Sequence, residues 1–526
     1  MICLQRRTPL IFLDKLSTRR SALFWKRPTE PFQKYTHHDG EVLAPGTVII
    51  SAAGNCTDIT KVVEPVLQAN GGSIYYINLS QDSHKLGGSS FAQTQNKLGD
   101  AAPTVQNSSF FADAFTTIQQ LILQDQIIAG HDVGSGGLIT TLLEMCFADT
   151  QLGATLDLSS LAEKDLIKLL FAENIGIVFQ AKNDAVVEIA LAELEYFKIG
   201  SATTSPYLEF DHYRLSIAEL RDTWFETSYL LDQKQTQQNK AQERFTNYKN
   251  QSLQYSFPAH FDGKKPLLNT ALTPAQKPKA AIIREKGSNS EREMANAMYL
   301  AGFEVKDIHM TDLISGRENL EDVQFIGAVG GFSNSDVLGS AKGWAGAFLY
   351  NEKAKTALTN FFKREDTLSV GICNGCQLFM ELEVINPEHE MHGKMKHNDS
   401  HKHESNFTSV TIQENNSVML HSLAGSTLGV WISHGEGKFH LPYAEDRYQI
   451  VGKYGYNAYP ANPNGSDYNA AMLCDVSGRH LVMMPHIERS TFPWNWAHYP
   501  KDRQDEVSPW IEAFVNARKW VEERQS

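Results

Sequence analysis

The sequence predicts a multidomain protein of mixed α/β and α+β class, and three observations lead there. Short apolar runs rich in β-formers alternate with amphipathic helical stretches along most of the 526 residues. Several of these strands end in glycine-rich turns that feed straight into a helix. The length exceeds what one hydrophobic core fills, so about two to four domains are expected. Apolar residues make up 42% of the chain and charged residues 21%, ordinary for a globular protein. The net charge of −13 argues against a nucleic-acid binder. Cys3, Cys56, Cys146, Cys373, Cys376 and Cys474 form no disulfide framework, so a reducing compartment, the cytoplasm, is expected. No apolar run approaches the ~18 residues of a membrane span, so no membrane partner is expected.

Residues 1–40 read as a basic tail without fixed structure, carrying Arg6, Arg7, Lys15, Arg19, Arg20, Lys26, Arg27 and Lys34; a transit peptide is the alternative. Residues 41–220 read as one domain. Its strands are expected at Thr47–Ala52, Gly71–Leu79, Ile127–Ala129 and Ala154–Leu158, and its helices at Phe110–Gln124 and Leu138–Phe147. The turn His131-Asp132-Val133-Gly134-Ser135-Gly136-Gly137-Leu138 joins strand to helix. Backbone N–H groups in such a turn can hold phosphate and Asp132 could ligate Mg²⁺, although glycine turns of this kind are more often plain connections.

Residues 221–278 read as a linker, with a helix over Thr223–Asn247 whose charged run from Asp232 to Asn250 faces solvent, then an extended proline-bearing stretch. Residues 279–526 form the last domain, opening with strand Lys279–Ile283, helix Glu291–Ala301 and strands Phe303–Ile308 and Phe325–Val329. The Gly330-Gly331-Phe332 turn presents backbone N–H groups at a strand end, the parts of an oxyanion hole. His389, His392, His397, His401 and His403 crowd one short span. Their spacing matches no closed zinc site, and a surface segment is the favoured reading. An amphipathic helix, Pro509–Gln525, closes the chain.

The chemistry concentrates in the stretch Leu368–Leu382, where a β-forming run is followed by Gly371-Ile372-Cys373-Asn374-Gly375 and then by helix formers. That order predicts strand, sharp turn and helix, with Cys373 strained and exposed on a nucleophile elbow. Glycines two residues either side let neighbouring backbone approach, and the helix N-terminus favours negative charge on the sulfur. Cys376 is the other candidate, but it falls on the first helical turn, past the elbow. A nucleophilic thiol needs a base and the base an orienter. Downstream, the run Leu481–Pro485 leads to His486 and Glu488, whose side chains point the same way if the chain is extended.

Together, G-I-C-N-G-C-Q and P-H-I-E-R resemble the class I (triad) glutamine amidotransferases, which implies a flavodoxin-like α/β domain. The resemblance makes Cys373 the nucleophile, His486 the base and Glu488 its orienter. It places Gly331, Phe332, Asn374 and Gln377 around the oxyanion and the glutamine. Ser433–Phe439 and Tyr459–Ser466 also resemble motifs around that pocket. In the first half, Lys85–Ser89, the Gln93–Asp100 stretch and His131–Leu138 resemble the C-terminal module of the AIR-synthetase superfamily. This implies ATP and Mg²⁺ as cofactors, Asp132 as a metal ligand and Gly134 as a backbone contact to nucleotide.

The two halves in this order resemble the large-type phosphoribosylformylglycinamidine synthase family. The implied activity is hydrolysis of glutamine to glutamate and ammonia for ATP-dependent amidination of formylglycinamide ribonucleotide. Family members are more than twice as long, so the resemblance implies an N-terminal synthase half as partner for the full reaction. Family members often carry Tyr-Gly where this chain has Asn334-Ser335. Many carry Arg at the positions of Lys402 and Asn406. A partner-dependent or uncoupled glutaminase subunit, and an inactive truncated relic, are the alternatives.

Overall fold

The computed structural model describes residues 33–37, 40–44, 58, 61–99, 101–237, 239–250, 253–266, 277–500 and 502–525. The expected strand Thr47–Ala52, residue Asp100 and most of the basic tail lie outside these. Two compact units result, one ending at Glu226 and the other beginning at Thr227.

In the first unit, strands β1 (Gln33–His37) and β2 (Gly40–Ala44) pair as an antiparallel hairpin. Regular structure therefore begins inside the segment read as a tail. The main sheet contains β3 (Ser73–Ile77), β4 (Ile127–Asp132), β5 (Gly153–Leu156), β6 (Ile177–Ala181), β7 (Phe197–Thr203), β8 (Tyr207–Phe210) and β9 (Tyr213–Ser216), in the order β4-β6-β3-β7-β5-β8-β9. All its pairings are antiparallel except β5 with β8. Successive residues of β3 enter different cores. Ile74 and Tyr76 join one that includes Leu138 and Leu142, whereas Tyr75 and Ile77 join one that includes Ala114 and Ile118. The period-2 alternation of a strand thus buries both faces, with helix Gly137–Phe147 on one and helix Ser108–Leu123 on the other. β4 runs through His131 and Asp132, so these residues end a strand rather than open a loop.

The single linker helix expected over Thr223–Asn247 is two helices, Ile217–Gln235 and Lys240–Asn247. The break falls at Asn239, whose left-handed φ of 60° suits an asparagine. The charged face expected to be solvated is instead partly covered in the second unit. Asp232 takes Arg244 at 2.7 Å and Lys402 at 2.6 Å, and Arg244 also bonds Glu404 at 3.1 Å and the Tyr459 hydroxyl. Glu404 is 3% exposed, and burial holds its carboxyl above the usual range despite these cations.

The second unit is built on nine strands: β10 (Lys279–Arg284), β11 (Glu304–His309), β12 (Phe325–Ala328), β13 (Leu368–Ile372), β15 (Glu404–Ile412), β16 (Thr427–His434), β18 (Gln449–Tyr454), β19 (Ala470–Cys474) and β20 (His480–Met483). Two short strands, β14 (Lys394–Lys396) and β17 (Lys438–His440), pair separately. The nine run in the order β11-β10-β12-β13-β20-β19-β18-β15-β16. The side from β11 to β20 is parallel, and β20 through β16 is antiparallel. The central parallel strands β12 and β13 are buried along their whole length and β10 is buried at Ala280–Ile283, as expected where helices cover both faces, whereas the edge strand β11 alternates with charged residues. Helix Ile511–Gln525 packs into the same core through Ala513, Phe514, Ala517 and Val521.

Candidate active site

Three neighbouring parallel strands deliver the candidate chemistry to one edge. β12 ends at the Gly330-Gly331 turn, β13 ends at Cys373, and β20 leads to His486 three residues on. β13 lies between the other two, with Ala328 opposite Gly371 and Ile372 opposite Met483. The carboxyl ends of a parallel sheet are where open α/β folds place ligands.

Cys373 sits at φ 54°, ψ −107°, a strained conformation for a residue with a side chain, and helix Asn374–Glu381 starts immediately after it. The flanking glycines are required by space. A Cβ on Gly375 would overlap the Ala328 carbonyl, and one on Gly371 would stand 2.6 Å from the Gly375 oxygen. The expected exposure is not found: Cys373 is 5% exposed. Its thiol donates to the Ser433 carbonyl at 3.4 Å, and Gly330 closes in so tightly that a Cβ there would lie 2.8 Å from His486 Cε1. Cys376 is fully buried, and burial, then the nearby Cys373, pushes its thiol well above its ordinary pKa. That leaves it unsuited to nucleophilic attack.

His486 Nδ1 meets Glu488 Oε1 at 2.6 Å, both residues being 2% exposed. The expected extended chain is absent. Ile487–Arg489 form a 3₁₀ turn, and the two side chains meet across it. Burial alone would lower the imidazole pKa. The Glu488 carboxylate and the Cys373 sulfur more than reverse that, raising it to about 10, while Glu488 is held below its ordinary value against the opposing effect of burial. The pair therefore favours imidazolium beside carboxylate. Glu488 Oε2 has no hydrogen-bond partner among the described residues, so this carboxylate relies first on His486, and then on the nearby Arg489 charge, for compensation.

The candidate oxyanion donors separate on inspection. Phe332 N–H donates to the Gly287 carbonyl at 2.9 Å and is already engaged. Gly331, at φ 112°, lines the pocket and its N–H has no partner among the described residues. Gln377 also lines it, its Nε2 donating to the Glu436 carbonyl at 2.7 Å and its Oε1 accepting from Asn374 at 2.9 Å. The cavity these residues share with Cys373 and His486 measures about 40 Å³.

The Ser433–Phe439 motif does line the pocket, and Asn398, Asp336 and Ser340, which carry no motif, complete the wall around it. Asn398 accepts from the Gly437 N–H at 3.0 Å and pairs with His434 Nδ1 at 3.1 Å, fixing the Ser433–Gly437 turn. Burial, then the neighbouring His486 and His403, pushes His434 down to about 3, so it stays neutral. Asp336 and Ser340 line the same cavity from the loop after Phe332. Their only signal in the sequence is proximity to the Gly-Gly turn.

The histidine-rich span is not uniformly a surface. His389 is buried edge-on between Tyr443 and Tyr448, with ring centroids 5.0 and 5.1 Å away. His403 reaches the candidate site, bonding Ser433 Oγ at 2.9 Å and lying over Phe332 at 5.8 Å. Among the described residues no group of three potential ligands could hold a metal ion.

In the first unit the glycine turn is differently equipped. Glu173 Oε1 accepts from Gly136 N–H at 2.9 Å and from Ser90 N–H at 2.7 Å, so a carboxylate already fills the place where a phosphate would be held. The Asp132 side chain is 71% exposed and lies 3.6 Å from His131. Space beside Gly134 is open. These residues offer the exposed carboxylate of Asp132 and open space beside Gly134.

Residues 277–521 match the CobB/CobQ-like glutamine amidotransferase domain, and residues 70–212 match the C-terminal domain of AIR synthase related proteins. The probable phosphoribosylformylglycinamidine synthase of Arabidopsis thaliana, a chloroplastic/mitochondrial protein, is 38% identical over 92% of this chain and 37% of its own length. The Homo sapiens phosphoribosylformylglycinamidine synthase is 36% identical over 91% of this chain and 39% of its own. The chain thus carries a glutamine amidotransferase domain preceded by an AIR-synthase-like domain, and over nine-tenths of its length it is similar to phosphoribosylformylglycinamidine synthases. It spans about two-fifths of the length of these curated relatives. Among solved structures, PurLQS from Thermotoga maritima aligns with 48% of this chain and 100% of its own at 23% identity and a TM-score of 0.37. No helix among the described residues is long and apolar enough to cross a membrane.

Proposed function

We propose that this chain carries the glutaminase activity of a phosphoribosylformylglycinamidine synthase, a glutamine-dependent carbon–nitrogen ligase. The supporting observation is the thiol of Cys373 at a strained strand-to-helix turn, beside a buried His486–Glu488 pair. Cys373 as thiolate attacks the glutamine side-chain amide and the C–N bond breaks. His486 gives its proton to the departing ammonia, leaving a γ-glutamyl thioester. His486, now neutral, takes a proton from water as that water attacks the thioester, and glutamate leaves with the thiolate restored. Glu488 keeps the imidazole oriented and stabilises its cationic form. The free N–H of Gly331 and the helix-opening N–H of Asn374 supply the oxyanion donors, and Gln377 contacts the bound glutamine. Phe332 then contributes its ring at the rim rather than its engaged N–H.

The ammonia would serve ATP-dependent amidination of formylglycinamide ribonucleotide, with an N-terminal synthase half as partner. In the family this chemistry uses ATP and Mg²⁺, which activate the amide oxygen by phosphorylation. Asp132 could supply one oxygen to a Mg²⁺ held mainly by phosphates and water, and Gly134 leaves room for a phosphate chain to pass. Glutamate release from glutamine by the purified chain, with and without an N-terminal half from a full-length relative, tests this reading. Release in either condition that disappears in Cys373→Ala supports it. Release that persists in Cys373→Ala, or its absence from folded protein under both conditions, contradicts it.

A further inference from the structure

One wall of the Cys373 pocket carries carboxylates that make no ion pair with a Lys or Arg among the described residues; Arg489, which also lines the pocket, is held by Asn289 and Glu293. Ser340 Oγ donates to Asp336 Oδ2 at 3.2 Å, and the Ala341 N–H approaches Oδ1 at 3.4 Å. The side chain of Asn374, next in sequence to the thiol, is also within hydrogen-bonding reach of Asp336. Glu436 continues the wall. Its carboxylate lies 3.4 Å from the Ser340 N–H, and its carbonyl takes the Gln377 amide. Asp336, Ser340, Glu436 and Gln377 thus form an unbroken chain of contacts that starts one residue from the nucleophile.

Neither carboxylate is neutralised nearby. Asp336 makes no ion pair among the described residues, and Glu436 has there only His397, 4.0 Å away. Burial, then the charge of Glu436, holds the Asp336 carboxyl above its usual range, a tension that a bound cation would relieve. The loop is also costly to hold. Asn334, Ser335 and Asp336 are three consecutive non-glycine residues at φ of 53°, 57° and 49°. Left-handed backbone of this kind persists where surrounding contacts impose it, commonly at ligand sites.

L-Glutamine has its one formal cation, the α-ammonium, at the end remote from the amide that meets the thiol. We propose that Asp336, backed by Glu436, receives this α-ammonium, so that the pocket selects a free α-amino acid over simple amides. The proposal rests on the reading of Cys373 as the residue that attacks the glutamine amide.

The test is the rate at which Cys373 in the full chain is alkylated by a diazoketone analogue of L-glutamine and by the same reagent lacking the α-amino group. Adducts are located by peptide mass spectrometry. Wild type is expected to prefer the amino compound by about tenfold or more, the scale of a hydrogen bond to a charged group. Asp336→Asn should remove most of that preference, read as the ratio of the two rates in the same variant, and Asp336→Glu should restore part of it. A preference that survives Asp336→Asn in folded protein overturns the proposal, as do equal rates with both reagents in wild type. If Asp336→Asn does not fold, Glu436→Gln is read instead, and an undiminished preference there overturns it. Wild type that reacts with neither reagent contradicts the assignment of Cys373 itself, so the two failures are separable.

Discussion

Two glycine-rich turns, each at the end of a β-strand and each opening a helix, have opposite chemical fates. At Gly371–Gly375 the backbone is forced into a strained turn, and His486, Glu488 and Gly331 arrive from neighbouring strands to meet the side chain at its apex. At His131–Gly137 the turn is satisfied from within. Glu173 caps Gly136, Gly134 faces open space, and the exposed Asp132 carboxylate belongs to no group of three potential metal ligands among the described residues. A glycine turn shows where backbone may approach something closely, whereas the groups that converge on it decide whether reactivity follows.

Substitutions can break this contrast. Cys373→Ala should lower glutamate release by at least about 1,000-fold, as loss of a covalent nucleophile does, while Asp132→Ala should leave it within about twofold. Comparable losses in both variants would mean that the glutaminase depends on the first turn as well. Glu488→Gln keeps the shape but removes the charge that sustains the imidazolium. By comparison with other orienting carboxylates, turnover should fall about 10²- to 10⁴-fold with much less change in KM. A change confined to KM would reassign Glu488 to substrate binding.

Stability sharpens the same comparison. Gly375→Ala drives a Cβ into the Ala328 carbonyl and should cost about 2–3 kcal/mol in denaturant unfolding. Gly134→Ala meets nothing within 4 Å and should stay within about 0.5 kcal/mol. Equal costs would show that the crowding at Gly375 relaxes. The smallest expected effect is in pH dependence. The folded-state pKa of His486 is raised from 6.5 to about 10, so its stabilisation is complete below 6.5 and is lost as pH rises through about 10. Glu488 is shifted downward from 4.5, so its contribution is present above 4.5 and lost as pH falls further. The stability difference between wild type and His486→Gln should therefore be largest between pH 4.5 and 6.5 and decline toward pH 10. A difference that grows with pH would contradict the charged pair.

Much of the fold and the site was legible because it is local. The strand, Gly-x-Cys-x-Gly turn and helix occupy consecutive residues, and His486 and Glu488 are two apart. What was hidden depends on distant partners. The sequence offered Phe332 as an oxyanion donor, but its N–H is taken by Gly287, far enough back that no motif links them. Asp232 looked like a solvated charge and pairs with Lys402 across 170 residues of sequence. His389 looked like surface and lies between two tyrosines. The exposure expected of Cys373 failed for the same reason, because Ser433 and Gly330 cover it from other strands. The break at Asn239 was a local event, yet the polar composition around it fits a continuous helix equally well.

The most direct test of the central claim is acid quenching of the chain, with its N-terminal partner half present, during turnover of glutamine, followed by peptide mass spectrometry. A γ-glutamyl adduct on Cys373, absent in Cys373→Ser and accumulating in step with turnover, is the predicted result. Glutamate release accompanied by an adduct on Cys376, or by none on Cys373 at any quench time, would contradict it.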